Sequence, residues 1–260
     1  MAAHYDQIGK TYSATRAADP RIVDKLVKLL SLHQGARLID IGAGTGNYSS
    51  ALAKRGFQVE ALEPSPVMRA QGHTHENLSW VDGGAEAVPF EDNTFDGVVM
   101  TLCLHHLQDW QQGLREALRV SGGGPVTIFA FDIEHKSDFW LCDYFPGFSE
   151  VDQTLRPTIA ELNTFVTDSL NADIFVEPYP LPKDLADHFA AADWARPHNY
   201  LDENFRNGVS TFHKLDRKSL QEGLQKLESD LANGRWSEQY GHLLEQEFYD
   251  NGYLFIRIER

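Results

Sequence analysis

Apolar positions in the first half of the chain recur in short blocks that alternate between two periods. Ile22, Leu26, Leu29 and Leu30 share one helical face behind Asp19-Pro20, an N-cap followed by a proline at the first helical position. Leu38, Ile39 and Ile41 then form a brief run of the kind a buried parallel strand needs, and a helical pattern follows from Asn47 to Arg55. The same alternation continues through strands at Phe57 to Leu62, Asn77 to Val81, Phe95 to Leu102 and Val126 to Phe131. Ser65-Pro66 opens a short helix, and Asp109 caps one from Trp110 to Val120. With helices between all five strands, this pattern predicts a doubly wound parallel α/β sheet.

From Asp132 the pattern changes. Residues 139–148, FWLCDYFPGF, are too rich in aromatics for plain surface. Thr158 and Glu161 form a capping box ahead of Leu162, Phe165, Val166 and Leu170, and Ala172 to Val176 reads as a sixth strand. Asp184 to Ala192 reads as helix, Trp194 to Pro197 as a break, and Leu220, Leu224, Leu227 and Leu231 as the packing stripe of a helix ending at Gly234. After Gly252 a last strand puts Leu254, Ile256 and Ile258 on one face and Tyr253, Phe255 and Arg257 on the other.

The candidate chemistry centres on Arg37 to Asn47, RLIDIGAGTGN, where a strand ends in Asp40 and breaks into Gly42, Gly44 and Gly46 ahead of a helix. Glycines there let the backbone turn tightly and approach a ligand. A dinucleotide fingerprint would need glycine at position 47, where Asn47 stands, which speaks against a nicotinamide-dependent oxidoreductase. Glu63 ends the second strand, where a carboxylate can accept both hydroxyls of a ribose.

The pattern D-x-G-x-G-x-G resembles motif I of the class I S-adenosylmethionine-dependent methyltransferases, and the spread of further matches resembles their type 11 group, which contains ubiquinone and menaquinone biosynthesis enzymes. The resemblance runs from Tyr5 to about Phe131. It implies a Rossmann-like, doubly wound seven-stranded sheet with the last strand antiparallel and a helical insert over the acceptor. On that reading residues 1–134 are the cofactor-binding core with an N-terminal cover, 135–245 an aromatic-rich linker, sixth strand and helical cover, and 246–260 the strand completing the sheet. The implied cofactor, S-adenosylmethionine, is held by Tyr12, Arg16, Asp40, Gly42, Ala43, Gly44, Gly46, Glu63, Pro64, Met68, Ala85, Glu86, Thr101 and Leu102. The segment Y-D-Q-I-G-K-T-Y from Tyr5 resembles the family's cover, with Gly9 where alanine is usual; from its residues alone it reads equally as a tail. Gly84 stands where the family often has an acid that reads adenine, leaving that contact to the Ala85 backbone and to Glu86 or Asp82.

His105-His106-Leu107 falls where the family borders the transferred methyl. His106 is the candidate base, although adjacent histidines on a regular element point apart. Tyr5, His106, Trp140, Tyr144 and Trp194 are the expected acceptor-binding residues, with Tyr144 and Tyr12 as alternative bases. The predicted activity is methyl transfer to a small-molecule acceptor; a non-catalytic protein that kept the cofactor site is the competing reading.

Composition narrows the partners. With 23 Lys+Arg against 38 Asp+Glu, the net charge of -15 repels phosphate backbones and anionic lipid, so neither nucleic acid nor a membrane is expected. Cys103 and Cys142 are too few for a disulfide framework, and the histidines lack acids or cysteines at ligand spacing, so no metal is expected. The N-terminus lacks an apolar leader, which fits a cytoplasmic enzyme, a monomer or homodimer.

Overall fold

The computed structural model of the chain describes residues 15–135, 139–152 and 155–260. The expectations for Tyr5 and Tyr12 lie outside these residues. Helix α1 (Pro20–Leu30) starts at Asp19, whose side chain accepts the Arg21 N–H, and buries Ile22, Val23, Leu26 and Leu30. It leads into β1 (Arg37–Ile41), α2 (Asn47–Lys54), β2 (Gln58–Leu62), the one-turn α3 (Pro66–Arg69), β3 (Leu78–Val81), β4 (Gly97–Thr101), α4 (Trp110–Ser121) and β5 (Val126–Phe131).

Short helices α5 (Leu141–Tyr144), α6 (Gly147–Asp152) and α7 (Ile159–Thr164) precede β6 (Asp173–Pro178). The Thr158–Glu161 capping box at the start of α7 is formed in both directions. Between β6 and the last strand lie the two-residue strands β7 (Leu181–Pro182) and β8 (Phe248–Tyr249), which pair with each other, and helices α8 (Glu203–Asn207), α9 (Arg217–Ala232) and α10 (Arg235–Tyr240).

The main sheet has the order β3-β2-β1-β4-β5-β9-β6, with β9 (Tyr253–Glu259) antiparallel to both β5 and β6. The other neighbouring pairs are parallel, and the last strand sits between its two partners instead of on an edge. Its alternation sorts as expected. Leu254, Ile256 and Ile258 enter the core cluster beneath α4 and α7, whereas Tyr253 and Phe255 join the cluster that includes α1 and the C-terminal cover. From β1 the chain winds outward to β3 and returns to β4 on β1's other side. The carboxyl ends of β1 and β4 therefore flank the crevice where an open α/β sheet takes its ligand.

Two predicted helices are replaced by irregular chain, for one physical reason. Residues 82–96, between β3 and β4, carry no helix. Their backbone is satisfied by α4 instead: Glu116 accepts the Val88 N–H at 2.8 Å, and Arg119 donates to the carbonyls of Val88 (3.0 Å) and Phe90 (2.8 Å). Residues 184–192 are likewise a series of turns. There the Ala186 N–H donates to Asp19 at 2.9 Å, and Asp193, fully buried, accepts from His188 (2.8 Å) and Asn199 (2.7 Å). In each stretch a backbone N–H that a helix would have satisfied within itself is met by a side chain of another element, Glu116 for Val88 and Asp19 for Ala186.

Among the described residues no helix is long and apolar enough to cross a membrane.

Candidate cofactor and acceptor site

The glycine loop is shaped by what it must pass. Gly42 has φ +74°, and a Cβ on it would stand 2.7 Å from Cys103 Cβ at the end of β4. Its N–H and that of Ala43 both donate to the Leu62 carbonyl, at 2.9 and 3.1 Å, tying the turn to β2. Gly46 caps α2 with φ +75°, and there a Cβ would lie 2.6 Å from the Trp80 ring. It makes room for Trp80 and does not line the cavity, contrary to its expected role as a cofactor contact.

The remaining cofactor candidates converge on one cavity of about 560 Å³ at this crevice. Asp40, Gly42, Ala43 and Gly44 come from β1 and its turn, Glu63 and Pro64 from the end of β2, and Met68 from α3. Ala85 and Glu86 come from the loop before β4, Thr101 and Leu102 from the end of that strand, and Arg16 from ahead of α1. Asp82 faces away, paired with Arg69 at 2.8 Å, so it drops out as an adenine contact. Sequence reasoning missed Thr45, Asn47, Tyr48, Cys103 and Leu107 to Asp109 as wall residues.

Asp40 is buried at 1% exposure. Its Oδ2 accepts the Ser49 hydroxyl at 2.5 Å, while Oδ1 is buried with no hydrogen-bond partner among the described residues. Burial pushes the carboxyl up to about 7 against the pull of Ser49, with the Glu63 charge adding to the rise. Thr101 Oγ1, on the same cavity wall, is also buried and unpartnered among the described residues. Glu63 is held rigidly: Oε2 accepts the Gly44 N–H and Oε1 the Ser65 N–H, each at 2.9 Å. Glu86 accepts the Gln108 N–H at 3.0 Å and so ties together two loops that line the cavity, one before β4 and one after it.

Arg16 reaches the site on a carboxylate arm from the C-terminal cover. Asp187, 1% exposed, accepts from Arg16 Nη2 at 3.0 Å and from the Tyr48 hydroxyl at 2.9 Å, with Arg16 Nε on its other oxygen. Asp187 gave no sequence signal, because its function depends on partners 139 and 171 residues away.

A second cavity, of about 700 Å³, lies alongside, and both are lined by Arg16, Leu102 and His106. Leu102 breaks from β4 with φ +52°, a strained conformation for a branched side chain. His105 and His106 sit on the 3₁₀ turn Leu104–His106 with ring centroids 3.9 Å apart. Both line the larger cavity, contrary to the expectation for adjacent residues, because a tight three-residue turn does not alternate its side chains as a strand does. Burial, with the nearby Lys214 charge, pushes His105 down to about 3, so it is neutral at physiological pH.

Trp140, Tyr144 and Trp194 do not line this cavity. Trp140 and Trp194 are wholly buried, and each indole N–H is spent on a backbone carbonyl, Trp140 on Trp194 (2.8 Å) and Trp194 on Leu181 (3.1 Å). The Tyr144 hydroxyl donates to Asp230 at 3.1 Å. Rings that do face the cavity are Phe131, Phe139, Phe148, Phe189 and Tyr253. Phe131 ends β5 and Tyr253 begins the antiparallel β9, so both stand at the ligand-binding edge of the sheet. That placement was the available sequence signal.

Residues 39–128 match a family described as methyltransferase domain, of type 11. A demethylmenaquinone methyltransferase of Corynebacterium efficiens is 29% identical over 205 residues, 75% of this chain and 85% of that protein. A crystal structure from Anabaena variabilis, assigned as a methyltransferase of an antibiotic biosynthesis pathway, has a TM-score of 0.91 at 37% identity and covers 96% of this chain and 100% of that one. The phosphoethanolamine N-methyltransferase 2 of Haemonchus contortus, solved with S-adenosylmethionine bound, shares the fold at TM-score 0.58 and 17% identity, covering 100% of this chain and 56% of that one. By its motif, its sheet and a relative matched along its whole length, the chain belongs to the class I methyltransferases of the type 11 group, enzymes that take S-adenosylmethionine as cofactor.

Proposed function

We propose that the smaller cavity holds the cofactor and the larger one a small-molecule methyl acceptor, with transfer across the wall formed by Arg16, Leu102 and His106. The carrying observation is that the two cavities share these three residues and adjoin along them. S-adenosylmethionine brings a methyl group on a sulfonium, which a nucleophile displaces directly. The protein's task is then placement, which can supply ~7 to 11 kcal/mol of the barrier, against roughly 10²- to 10⁴-fold for one general base.

The residues fit the cofactor's groups. Asp40 Oδ1 and Thr101 Oγ1, buried and unpartnered among the described residues, are polar atoms in want of a ligand, and they suit the cofactor's amine. Arg16, held in place by Asp187 and lining the cavity, suits the carboxylate. Glu63, fixed by the Gly44 and Ser65 N–H groups at the cavity wall, suits the ribose hydroxyls, and Met68, Ala85 and Glu86 border the adenine. His106, on the shared wall, takes the acceptor's proton where one must leave. The acidic surface field draws a cationic cofactor in, and with two free cysteines it supports a cytoplasmic enzyme without a nucleic-acid partner.

Calorimetric titration with S-adenosylmethionine, S-adenosylhomocysteine and NADH tests this reading: the first two bind and NADH does not. Binding of NADH alone would overturn it. Glu63→Ala is expected to weaken S-adenosylhomocysteine binding about tenfold or more, with the fold retained and stability lowered by about 1 to 3 kcal/mol through the freed Gly44 and Ser65 N–H groups. Unchanged affinity would remove the ribose assignment. For His106→Ala, turnover should fall by roughly 10²-fold or more while S-adenosylhomocysteine affinity holds. A rate equal to that of the unaltered protein at saturating acceptor would retire the base.

A further inference from the structure

The loop that carries Asp187 is pinned on both sides of that residue. The Leu185 carbonyl accepts from Arg196 Nη2 and the Ala186 N–H donates to Asp19, each at 2.9 Å. Arg21, at the start of α1, donates to Asp184 at 2.6 Å. Beyond Asp187, Phe189 is buried against Tyr253, with 4.7 Å between ring centroids. The Asp187 backbone is therefore placed by groups other than Arg16.

Its side chain is steadied as well. Tyr48, on α2, donates its hydroxyl to Asp187 Oδ2 at 2.9 Å. Burial, with the Asp187 charge close by, pushes that hydroxyl well above its ordinary value, so it remains a donor. Against this fixed carboxylate the Arg16 guanidinium lies as a fork, Nε on Oδ1 and Nη2 on Oδ2. A two-pronged contact of that kind sets the plane of the guanidinium as well as its place. Both side chains are withdrawn from solvent, 9% exposed for Arg16 and 1% for Asp187. The long arginine side chain, with many rotamers to lose, takes its direction from the pair, and the aspartate gives it.

Arg16 lines both cavities and Tyr48 lines the smaller one, whereas Asp187 lines neither. We propose that Asp187 is a positioning residue for the cofactor's amino-acid tail: it aims the Arg16 guanidinium at the carboxylate and touches no part of the cofactor itself. The proposal rests on the methyltransferase reading above and adds that the C-terminal cover, from which Asp187 comes, helps to build the cofactor site. Acting through Arg16 alone, Asp187 affects the carboxylate and leaves the adenine, ribose and sulfur to their own contacts. A negative charge behind the guanidinium would by itself repel the carboxylate. Orientation and charge thus predict opposite signs: losing the fork weakens binding if orientation governs and strengthens it if charge does.

The test compares S-adenosylhomocysteine with 5′-deoxy-5′-(3-aminopropylthio)adenosine, the same molecule without its carboxylate. Each is titrated calorimetrically into the unaltered chain, Asp187→Asn, Arg16→Met and the double variant. The unaltered chain should prefer S-adenosylhomocysteine by about tenfold or more. Asp187→Asn should remove most of that preference by weakening S-adenosylhomocysteine, leave the amine analogue's affinity unchanged, and add nothing in the Arg16→Met background. A merely structural role would weaken both compounds together. Equal affinity for the two in the unaltered chain, a preference kept or enlarged in Asp187→Asn, or a loss shared by both compounds overturns the proposal. Should Asp187→Asn not fold, Tyr48→Phe decides, because it keeps the ring and removes the hydroxyl that steadies the carboxylate. There the preference should fall about threefold, and a preference equal to that of the unaltered chain overturns the proposal. If neither compound binds the unaltered chain, the cofactor reading beneath it fails first.

Discussion

Asp40→Asn should exchange cofactor affinity for stability. The buried carboxyl titrates near 7, against an ordinary value of 3.8, mainly because burial disfavours its charge. A carboxyl whose value is raised on folding contributes stability that is present below the unfolded value and lost as pH rises through the folded one. The unaltered protein is thus penalised above about pH 7 for ionising Asp40, and asparagine, which can still accept from Ser49, removes that penalty. A gain on the order of 2 to 4 kcal/mol is expected at pH 8, and none at pH 4.

Affinity moves the other way. On the proposed assignment an ionised Asp40 meets the cofactor's ammonium group, so its loss should weaken S-adenosylhomocysteine by about a hundredfold, equivalent to roughly 3 kcal/mol. In the unaltered protein, binding at or below pH 7 must expel the Asp40 proton. Affinity should therefore rise from pH 6 to pH 8, with proton release visible as a dependence of the binding heat on the buffer's ionisation enthalpy. Affinity that is flat across this range, or retained in Asp40→Asn, would show that the carboxylate does not meet the amine.

The second large effect is expected far from the cofactor. Trp140→Ala should lower stability by about 3 to 5 kcal/mol, the usual consequence of emptying a large buried aromatic site. Trp140 is fully buried, with Tyr200 at 5.2 Å, Trp236 at 5.4 Å and Tyr144 at 5.9 Å, so neighbours on several elements lose contacts together. In a chain of 260 residues this corresponds to a fall in Tm of roughly 6 to 20 °C. The acceptor KM, measured where the variant is still folded, should not change. A raised KM with an unshifted Tm would return Trp140 to the acceptor site.

Sequence reading succeeded where the governing interactions are local. The caps at Asp19, Ser65, Asp109 and Thr158 act within three residues of themselves, and each forms as its spacing implied. The alternating faces of the last strand needed only the period of two. The glycine turn placed Asp40, Gly42 and Gly44 on the cavity, yet Gly46 is explained by a tryptophan from β3 that no local rule connects to it.

Within residues 139–148 composition announced an aromatic cluster without dividing it. Phe139, Cys142 and Phe148 line the larger cavity, Phe139 and Phe148 from within the buried core, whereas Trp140, Leu141, Tyr144 and Phe145 belong to the core without reaching that cavity. That division is set by neighbours distant in sequence, such as Phe212 beside Phe148 and Tyr249 beside Phe139, which is a tertiary fact. Residues 184–192 show the same limit: their helical apolar pattern is real, and Leu185, Phe189 and Ala192 are buried, but the acid among them, Asp187, answers to Arg16 and Tyr48.

The place of β9 bears on how the protein is made. Within the main sheet β6 pairs with β9 alone, and β9 consists of residues 253–259. During synthesis every element of the acceptor cover leaves the ribosome before the strand that fastens β6 to the sheet. A ribosome stalled before codon 253 would carry a nascent chain whose glycine loop, already flanked by β1, β2 and β4, is complete while β6 has no ladder to join. Pairing of β9 then joins β6 to the five parallel strands, and shortening β9 by a few residues would remove ladder partners from β5 and β6 together.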